Sequence, residues 1–338
     1  MRTTLDTLLG LGGPLLADGA TGTNFMGMGL GPGEPPELWN LDQPEKVRRL
    51  HQQFVDAGAD IILTNTFGCN RFRLALHGAE ERTFEIAKRA AEIAGEVAAA
   101  ADHAVVVAGS VGPTGELIEP IGSMTEAAAI AAFTEEIEGL RAGGADVAWI
   151  ETKSAAQEMR AAARAAIAVG MPYPVTASFD TAGRTMMGLR PPELVDVFTE
   201  LPVAPLAIGA NCGVGASDLL VAIQQMRRDG LTIIAKSNCG VPRFVGAEIE
   251  YSGHPELMGE YASLAIDSGA RIIGGCCGTS PEHLAEMRRR IDGHQPGEVP
   301  ALDRIVAAVG PLTNQPASSA DDDETAHTDA ARRRRRRR

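Results

Sequence analysis

Aromatic residues are scarce, 4% of 338 residues, and no run of 18 or more uninterrupted apolar residues occurs. The second absence excludes a membrane-spanning helix. The N-terminus, MRTTLDTLLGLGG, has an early Arg and a short apolar run but no small-residue cleavage site, so the expected location is cytoplasmic. Positive charge is also short: Lys and Arg number 31 against 44 Asp and Glu, a formal net charge of −13. Because Arg332–Arg338 supply seven of the positive charges, the rest of the chain carries −20 and should repel nucleic acid. Five cysteines, Cys69, Cys212, Cys239, Cys276 and Cys277, are an odd number, and the last two are adjacent. Without a secretion signal, this argues against a disulfide framework and leaves free thiols or metal ligands.

What is abundant is Gly, Ala and aliphatic sequence, with 44% apolar residues, enough for a large core. Short apolar, β-branched runs recur at Leu15–Asp18, Asp60–Thr66, Val105–Gly109, Val147–Glu151, Val175–Phe179, Leu206–Asn211, Ile233–Asn238 and Arg271–Gly275. Segments of 3.6-residue periodicity follow them: Pro44–Ala57, Arg82–Ala100, Met124–Ala142, Ala155–Ala168, Pro191–Leu201, Ala216–Asp229, Pro255–Ser268 and Pro281–Ile291. Eight strand–helix repeats predict an α/β fold, a single (β/α)8 TIM barrel over residues 1–292, with a doubly wound open sheet as the alternative. Residues 293–338 read as a low-complexity tail, acidic at Asp321–Glu324 and then poly-Arg, expected to be disordered and without a part in the chemistry.

The predicted strands end in polar or small residues, among them Asp18-Gly19, Glu151-Thr152, Asn211-Cys212, Asn238-Cys239 and Gly275-Cys276-Cys277. In a barrel these ends gather on the face where active sites are built. Adjacent side chains on a strand point to opposite faces, so Cys276 and Cys277 reach one ion only if the chain turns between them, which the glycines of GGCCGT permit. Cys212 ends the sixth run, one strand removed from the eighth, and is placed to meet the pair. Three thiolates with one open position make a catalytic kind of zinc site. Such a site carries a net charge of about −1, a poor activator of water but well suited to a substrate thiol. The competing reading of the pair is two small buried residues at a Gly-rich strand end. Cys69 and Cys239 read as small packing residues. Asn238 either fills the open position through its oxygen or hydrogen-bonds within the site.

The blocks LLADGATGTN, GADIILTNTFG, AGSVGPTGE, GADVAWIET, GANCGVG, SNCGVP and RIIGGCCGTSPEHL span Leu15 to Ile291. Here the chain resembles the homocysteine S-methyltransferase family, and within it the compact bacterial betaine–homocysteine methyltransferases. The resemblance implies Zn²⁺ held by Cys212, Cys276 and Cys277, with these residues carrying the catalysis, and Asp18 and Glu151 holding the substrate ammonium. Two carboxylates at strand ends suit an ammonium group, and the N–H groups of Gly19, Ala20 and Thr21 suit its carboxylate. On the residues alone, Asp18 reads equally as a turn cap and Glu151 as a structural ion-pair partner.

A single barrel without accompanying domains leads us to expect a donor that diffuses in as a small onium compound. Glycine betaine is the first choice, giving methionine and dimethylglycine. A quaternary ammonium calls for an aromatic face, for which Trp39 and Tyr251 are the candidates. Gly68 stands where animal betaine enzymes resemble one another in offering an aromatic. S-methylmethionine or another onium donor is the alternative, as is a homocysteine-binding subunit served by a corrinoid or folate partner. A zinc-storing or redox-sensing thiol protein is a further rival. No membrane partner is expected, and a homo-oligomer stays open.

Overall fold

Each of the eight apolar runs forms a parallel strand in the computed structural model, which describes residues 1–240, 242–245 and 248–313. The strands are β1 (Leu15–Leu16), β2 (Ile61–Leu63), β3 (Val106–Val111), β4 (Val147–Lys153), β5 (Val175–Ala177), β6 (Ile208–Cys212), β7 (Ile233–Ser237) and, after an inserted antiparallel hairpin of β8 (Pro242–Val245) and β9 (Glu248–Tyr251), β10 (Ala270–Gly275). The order β1-β10-β7-β6-β5-β4-β3-β2 is parallel throughout. A parallel bridge between Ala17 and Ile61 brings β2 back to β1, with Asp18 N–H donating to Ile61 O at 2.9 Å and Asp60 N–H to Leu16 O at 2.7 Å. The sheet is thus a nearly closed (β/α)8 barrel, as the repeat pattern predicts.

Helix boundaries follow the chain's punctuation. Pro44, Pro255 and Pro281 take the first positions of the helices Pro44–Asp56, Pro255–Asp267 and Pro281–Gly293, where a missing N–H costs nothing. Gly170, at φ +77°, ends Ala156–Val169 in the left-handed conformation. The segment Pro191–Leu201 departs from expectation: it is α-helical only over Pro191–Leu194, tightens to a 3-10 turn at Val195–Phe198, and stops short of Pro202, whose ring disfavours helix before it. The fold also runs on past residue 292. Leu302–Val309 forms a helix that buries Ile305 and Val309 against Ala216–Met226 and Pro255–Asp267, so the boundary drawn from periodicity is too early. Eight residues are too few for a periodic signal to stand out. The acidic and poly-Arg stretch lies outside the described residues. No helix among the described residues is long and apolar enough to cross a membrane.

Strand residues alternate between two cores. Leu15, Ala17, Ile61, Leu63, Val106, Ala108, Val147, Trp149, Ala207, Ile234 and Ile272 fill the barrel, plugged by Leu5 and Leu8 of the first helix, Leu5–Gly10. Their neighbours Leu16, Ile62, Val107, Ala148, Ile150, Ile208, Ile233 and Ile273 face the helices. Two residues on from Ala108, Trp149 and Ile234 in the interior series lie Ser110, Glu151 and Lys236, and four on from Ala207, past Gly209, lies Asn211. The same alternation that builds the core therefore carries polar side chains to its rim.

His51, on Pro44–Asp56, is buried and neither ring nitrogen has a hydrogen-bond partner among the described residues. Burial pushes its pKa down to about 4, from the ordinary 6.5. The unfolded chain therefore takes up the proton first. This group's contribution is complete above about pH 6.5 and is lost as pH falls through 4, a span worth on the order of 3 kcal/mol. His51→Leu is expected to flatten the fall of the urea midpoint across that window; an unchanged slope would exclude His51 as a source of acid sensitivity.

Candidate active site

Strand register brings the three cysteines together. Cys212 on β6 pairs with Ser237 on β7, which pairs in turn with Gly275 on β10. Two strand spacings separate Cys212 from Gly275, roughly 10 Å, and the backbone closes that gap. Cys212 has a left-handed φ of +60°, and the chain turns after Gly275, so the Sγ atoms of Cys212, Cys276 and Cys277 all lie within 4.8 Å of one another. Asn211 pays for the unusual backbone at two places: its Oδ1 accepts from Thr152 N–H at 2.9 Å, its Nδ2 donates to Thr152 Oγ1 at 2.6 Å, and Thr152 itself has φ +57°. Cys276 N–H donates to Ser237 O at 2.6 Å and Cys239 N–H to Cys277 O at 2.9 Å, which ties the two cysteine-bearing loops side by side.

The donor set fits a soft divalent cation. With no cation the thiols suppress one another's ionisation. Hydrogen bonding with Cys276 raises Cys212 well above an ordinary thiol, and contact with Cys212 pushes Cys277 up to about 12. A divalent ion among the three sulfurs reverses that penalty. Cys69 and Cys239 are fully buried in the core, and burial raises both thiols. Asn238 is hydrogen-bonded through Nδ2 to Gly213 O at 2.7 Å, while its buried Oδ1 has no partner among the described residues.

Beside the cysteines lies a mostly apolar cavity of about 280 Å³. Gly19, Ala20 and Thr21 form part of its wall, as do Glu151, Ser110, Lys236 and the three cysteines. Ala20 N–H is already given to Thr279 O, and the short helix Thr21–Gly27 opens at the wall without a side-chain cap. Glu151 accepts at Oε1 from Ser110 Oγ at 2.5 Å, and burial raises its carboxyl. Asp18 stands behind the wall, 1% exposed, accepting from Leu63 N–H at Oδ2 and from Lys236 Nζ at Oδ1, both at 2.7 Å. Burial disfavours the Lys236 charge, yet Asp18 and Glu151 outweigh it and raise its pKa.

The two aromatic candidates fall elsewhere. Trp39 is buried, its ring 5.0 Å from Phe25 and its face covered by Lys46 Nζ at 4.3 Å, so it packs the core and does not line the cavity. Tyr251 is half-buried against Gly278, where a Cβ would come within 2.4 Å of its ring, and its hydroxyl hydrogen-bonds to Cys277 of the cavity wall, although Tyr251 itself does not line the cavity. The aromatic that does line the cavity is Phe67, 41% exposed. Gly68 next to it is fixed by packing: its N–H donates to the buried Glu37 carboxylate at 2.6 Å, and a Cβ there would meet Glu37 Oε1 at 2.8 Å. Sequence reasoning missed Phe67 and Lys236. For Lys236 the signal was present, a single Lys inside the apolar run IIAKSN.

A family model described as homocysteine S-methyltransferase matches residues 15–291. The methionine synthase of Mycobacterium leprae (strain TN) is 28% identical over 309 residues, 86% of this chain but 25% of its own length. That of Mycobacterium tuberculosis (strain ATCC 25618 / H37Rv) is 29% identical over 291 residues, 81% of this chain and 24% of its own. The chain thus spans about a quarter of the length of these curated relatives. Among solved structures, the homocysteine methyltransferase MmuM from Escherichia coli in its metallated form matches with a TM-score of 0.72 at 24% identity, covering 85% of this chain and 99% of that one. Its oxidized form matches at 0.71 and the same identity. These likenesses show the fold.

Metal-free protein should react with iodoacetamide at Cys212, Cys276 and Cys277 more slowly than free cysteine does at pH 8, because the thiolate fraction is small. The three are partly exposed, so access is not the barrier. Rates equal to free cysteine, read by mass spectrometry of the labelled peptides, would contradict the raised thiols.

Proposed function

The chain belongs to the homocysteine S-methyltransferase family, and from that premise we propose that it transfers a methyl group from glycine betaine to homocysteine, with zinc as its cofactor, giving methionine and dimethylglycine. The observation that carries this reading is the convergence of Cys212, Cys276 and Cys277 beside a cavity with Glu151 and Lys236 in its wall. Zinc bound by the three cysteines supplies the positive charge that keeps a substrate thiol ionised near neutral pH while leaving it electron-rich. The chain's own part is to hold the amino acid and exclude water. Glu151, with Asp18 behind it, provides the negative charge for the ammonium, and the backbone of Gly19 and Thr21 in the wall is offered to its carboxylate.

Methyl transfer is a displacement in which the substrate sulfur forms the S–CH₃ bond while the N–CH₃ bond breaks. The nitrogen keeps the electron pair and leaves as a neutral tertiary amine, so no general acid is required. Phe67 is the ring available to an onium methyl group in this cavity, in place of Trp39 and Tyr251. S-methylmethionine is the next donor of the same chemical class. All five cysteines are free, in keeping with a reducing, cytoplasmic compartment. A second reading is favoured by the likeness to one quarter of methionine synthases: a homocysteine-binding module whose methyl donor is carried by another polypeptide.

Purified zinc-loaded protein with homocysteine and betaine should form methionine without a partner. No turnover with betaine, S-methylmethionine or dimethylsulfoniopropionate, although homocysteine binds, would replace the self-contained enzyme by the partner-dependent module. Cys212→Ala is expected to weaken zinc retention by more than about 100-fold and to abolish activity with an unchanged far-UV spectrum; retained zinc and full activity would remove the metal assignment.

A further inference from the structure

A second cavity, of about 330 Å³, adjoins the one beside the cysteines. Pro36, Glu37 and Phe67 line both, so the two spaces meet along one wall. Arg73 and His77 also line the second space, the first in the short helix Arg71–Ala75 and the other in the turn after it. Asn70 caps that helix by accepting from Arg73 N–H at 3.1 Å, and the Arg73 side chain runs past Gly115, where a Cβ would stand 3.6 Å from its Cδ and its Nη1. Arg71 on the same helix is paired with Glu81 and Glu135, whereas the Arg73 guanidinium has no ion pair or hydrogen bond among the described residues. Two acids face the same space, and neither takes up that charge. Glu34 folds back on its own loop, accepting from Gly31 N–H at 2.9 Å. Glu37 is buried in the shared wall with Oε1 on Gly68 N–H; burial raises its carboxyl, while Arg73 and His77 pull the other way from beyond bonding distance.

We propose that Arg73, with His77 beside it, is an anion subsite that receives the carboxylate of a small zwitterionic methyl donor whose onium centre lies against Phe67 and Glu37. The inference rests on the onium-donor reading above and adds to it the residue that grips the donor's other end. An onium group offers no hydrogen bond, so a ring face and a nearby anion hold it without direction. The carboxylate is the one group of such a donor that a directional bond can fix, and a guanidinium can give it two parallel N–H bonds. The order of charges along the wall fits as well. In-line displacement puts the methyl group between the attacking sulfur and the onium atom, so the rest of the donor extends away from the cysteines. Phe67 and Glu37 stand at the junction of the two spaces, and the cations line the second.

The test compares donors that differ in the carboxylate, with zinc-loaded full-length protein, saturating homocysteine and methionine formation as the readout. The pairs are glycine betaine against tetramethylammonium, and dimethylsulfoniopropionate against trimethylsulfonium. Wild type should favour the carboxylate-bearing member by about 10- to 100-fold in kcat/KM, the range of a charge-assisted hydrogen bond. Arg73→Gln should remove about tenfold or more of that ratio, through a raised KM for the carboxylate donor. Arg73→Lys, which keeps the charge but loses the fork, should recover part of it. Arg73 is exposed, and its variants are expected to keep the wild-type circular dichroism spectrum. A ratio unchanged in Arg73→Gln, or both members of a pair slowed equally, overturns the subsite and leaves Arg73 a structural residue. Wild type that turns over both members of each pair equally also overturns it while the onium reading stands. Turnover with none of the four donors overturns the onium reading, and the subsite with it.

Discussion

A closed parallel barrel admits only every second strand residue to its interior, and the site of this protein is a consequence of that restriction. The interior series is apolar at the closed end, where Leu5 and Leu8 plug it, and remains so through Ala108, Trp149, Ala207 and Ile234. Two residues further, or four on β6 past Gly209, it becomes Ser110, Glu151, Asn211 and Lys236, all at least nine-tenths buried. Four charged or polar side chains so deep must find polar partners, since burying an unpaired charge costs several kcal/mol. They do so laterally, across strands: Ser110 on β3 to Glu151 on β4, Asn211 on β6 to Thr152 on β4, Lys236 on β7 to Asp18 after β1. The polar rim is therefore a belt of cross-strand bonds lying on an apolar plug, and the plug fixes its height.

The thiol cluster uses the same belt. Cys212 follows Asn211, and the Asn211 amide, locked on Thr152, also approaches Cys276 Sγ at 3.9 Å. The residue that stabilises the left-handed turn on one side of the site thus reaches a thiol on the other. A site assembled from β6 and β10 is intact only while β7 stays between them, and β7 contributes Lys236, whose partner Asp18 follows β1. The thiol cluster and the charged residues beside it are consequently not independent features of separate loops.

Much of this was legible without coordinates because the strands are short, apolar and punctuated by Gly and Pro, so eight repeats stand out and the polar residues at their ends read as one face. GANCG and GGCCGT put three thiols on strands six and eight of that repeat, and counting strands was enough to bring them together. What was not legible depends on direction rather than position. Trp39 follows the first strand in sequence, yet its ring turns into the layer between helices against Phe25. Phe67 reaches the cavity from the loop after β2, and no periodicity marks a loop residue as inward or outward. The pairing of Asp18 with Lys236 spans most of the barrel's sequence and is created by closure alone; one Lys in an apolar run signals a buried partner without naming it.

The cavity also bears on donor choice. Its wall is largely apolar, Phe67 is the aromatic among the described residues that line it, and the position after it cannot accept a larger side chain without displacing the Glu37 carboxylate. Were the donor the proposed onium compound, its methyl group would meet the Phe67 ring, the apolar wall and the negative charge that Glu37 carries when ionised. Burial raises the Glu37 carboxyl, which weakens that charge unless a cation arrives to stabilise it, while the hydrogen bond from Gly68 works the other way. Such a subsite distinguishes a cation from a neutral molecule better than it distinguishes one small onium compound from another. Discrimination among donors then falls to the group the donor carries at its far end.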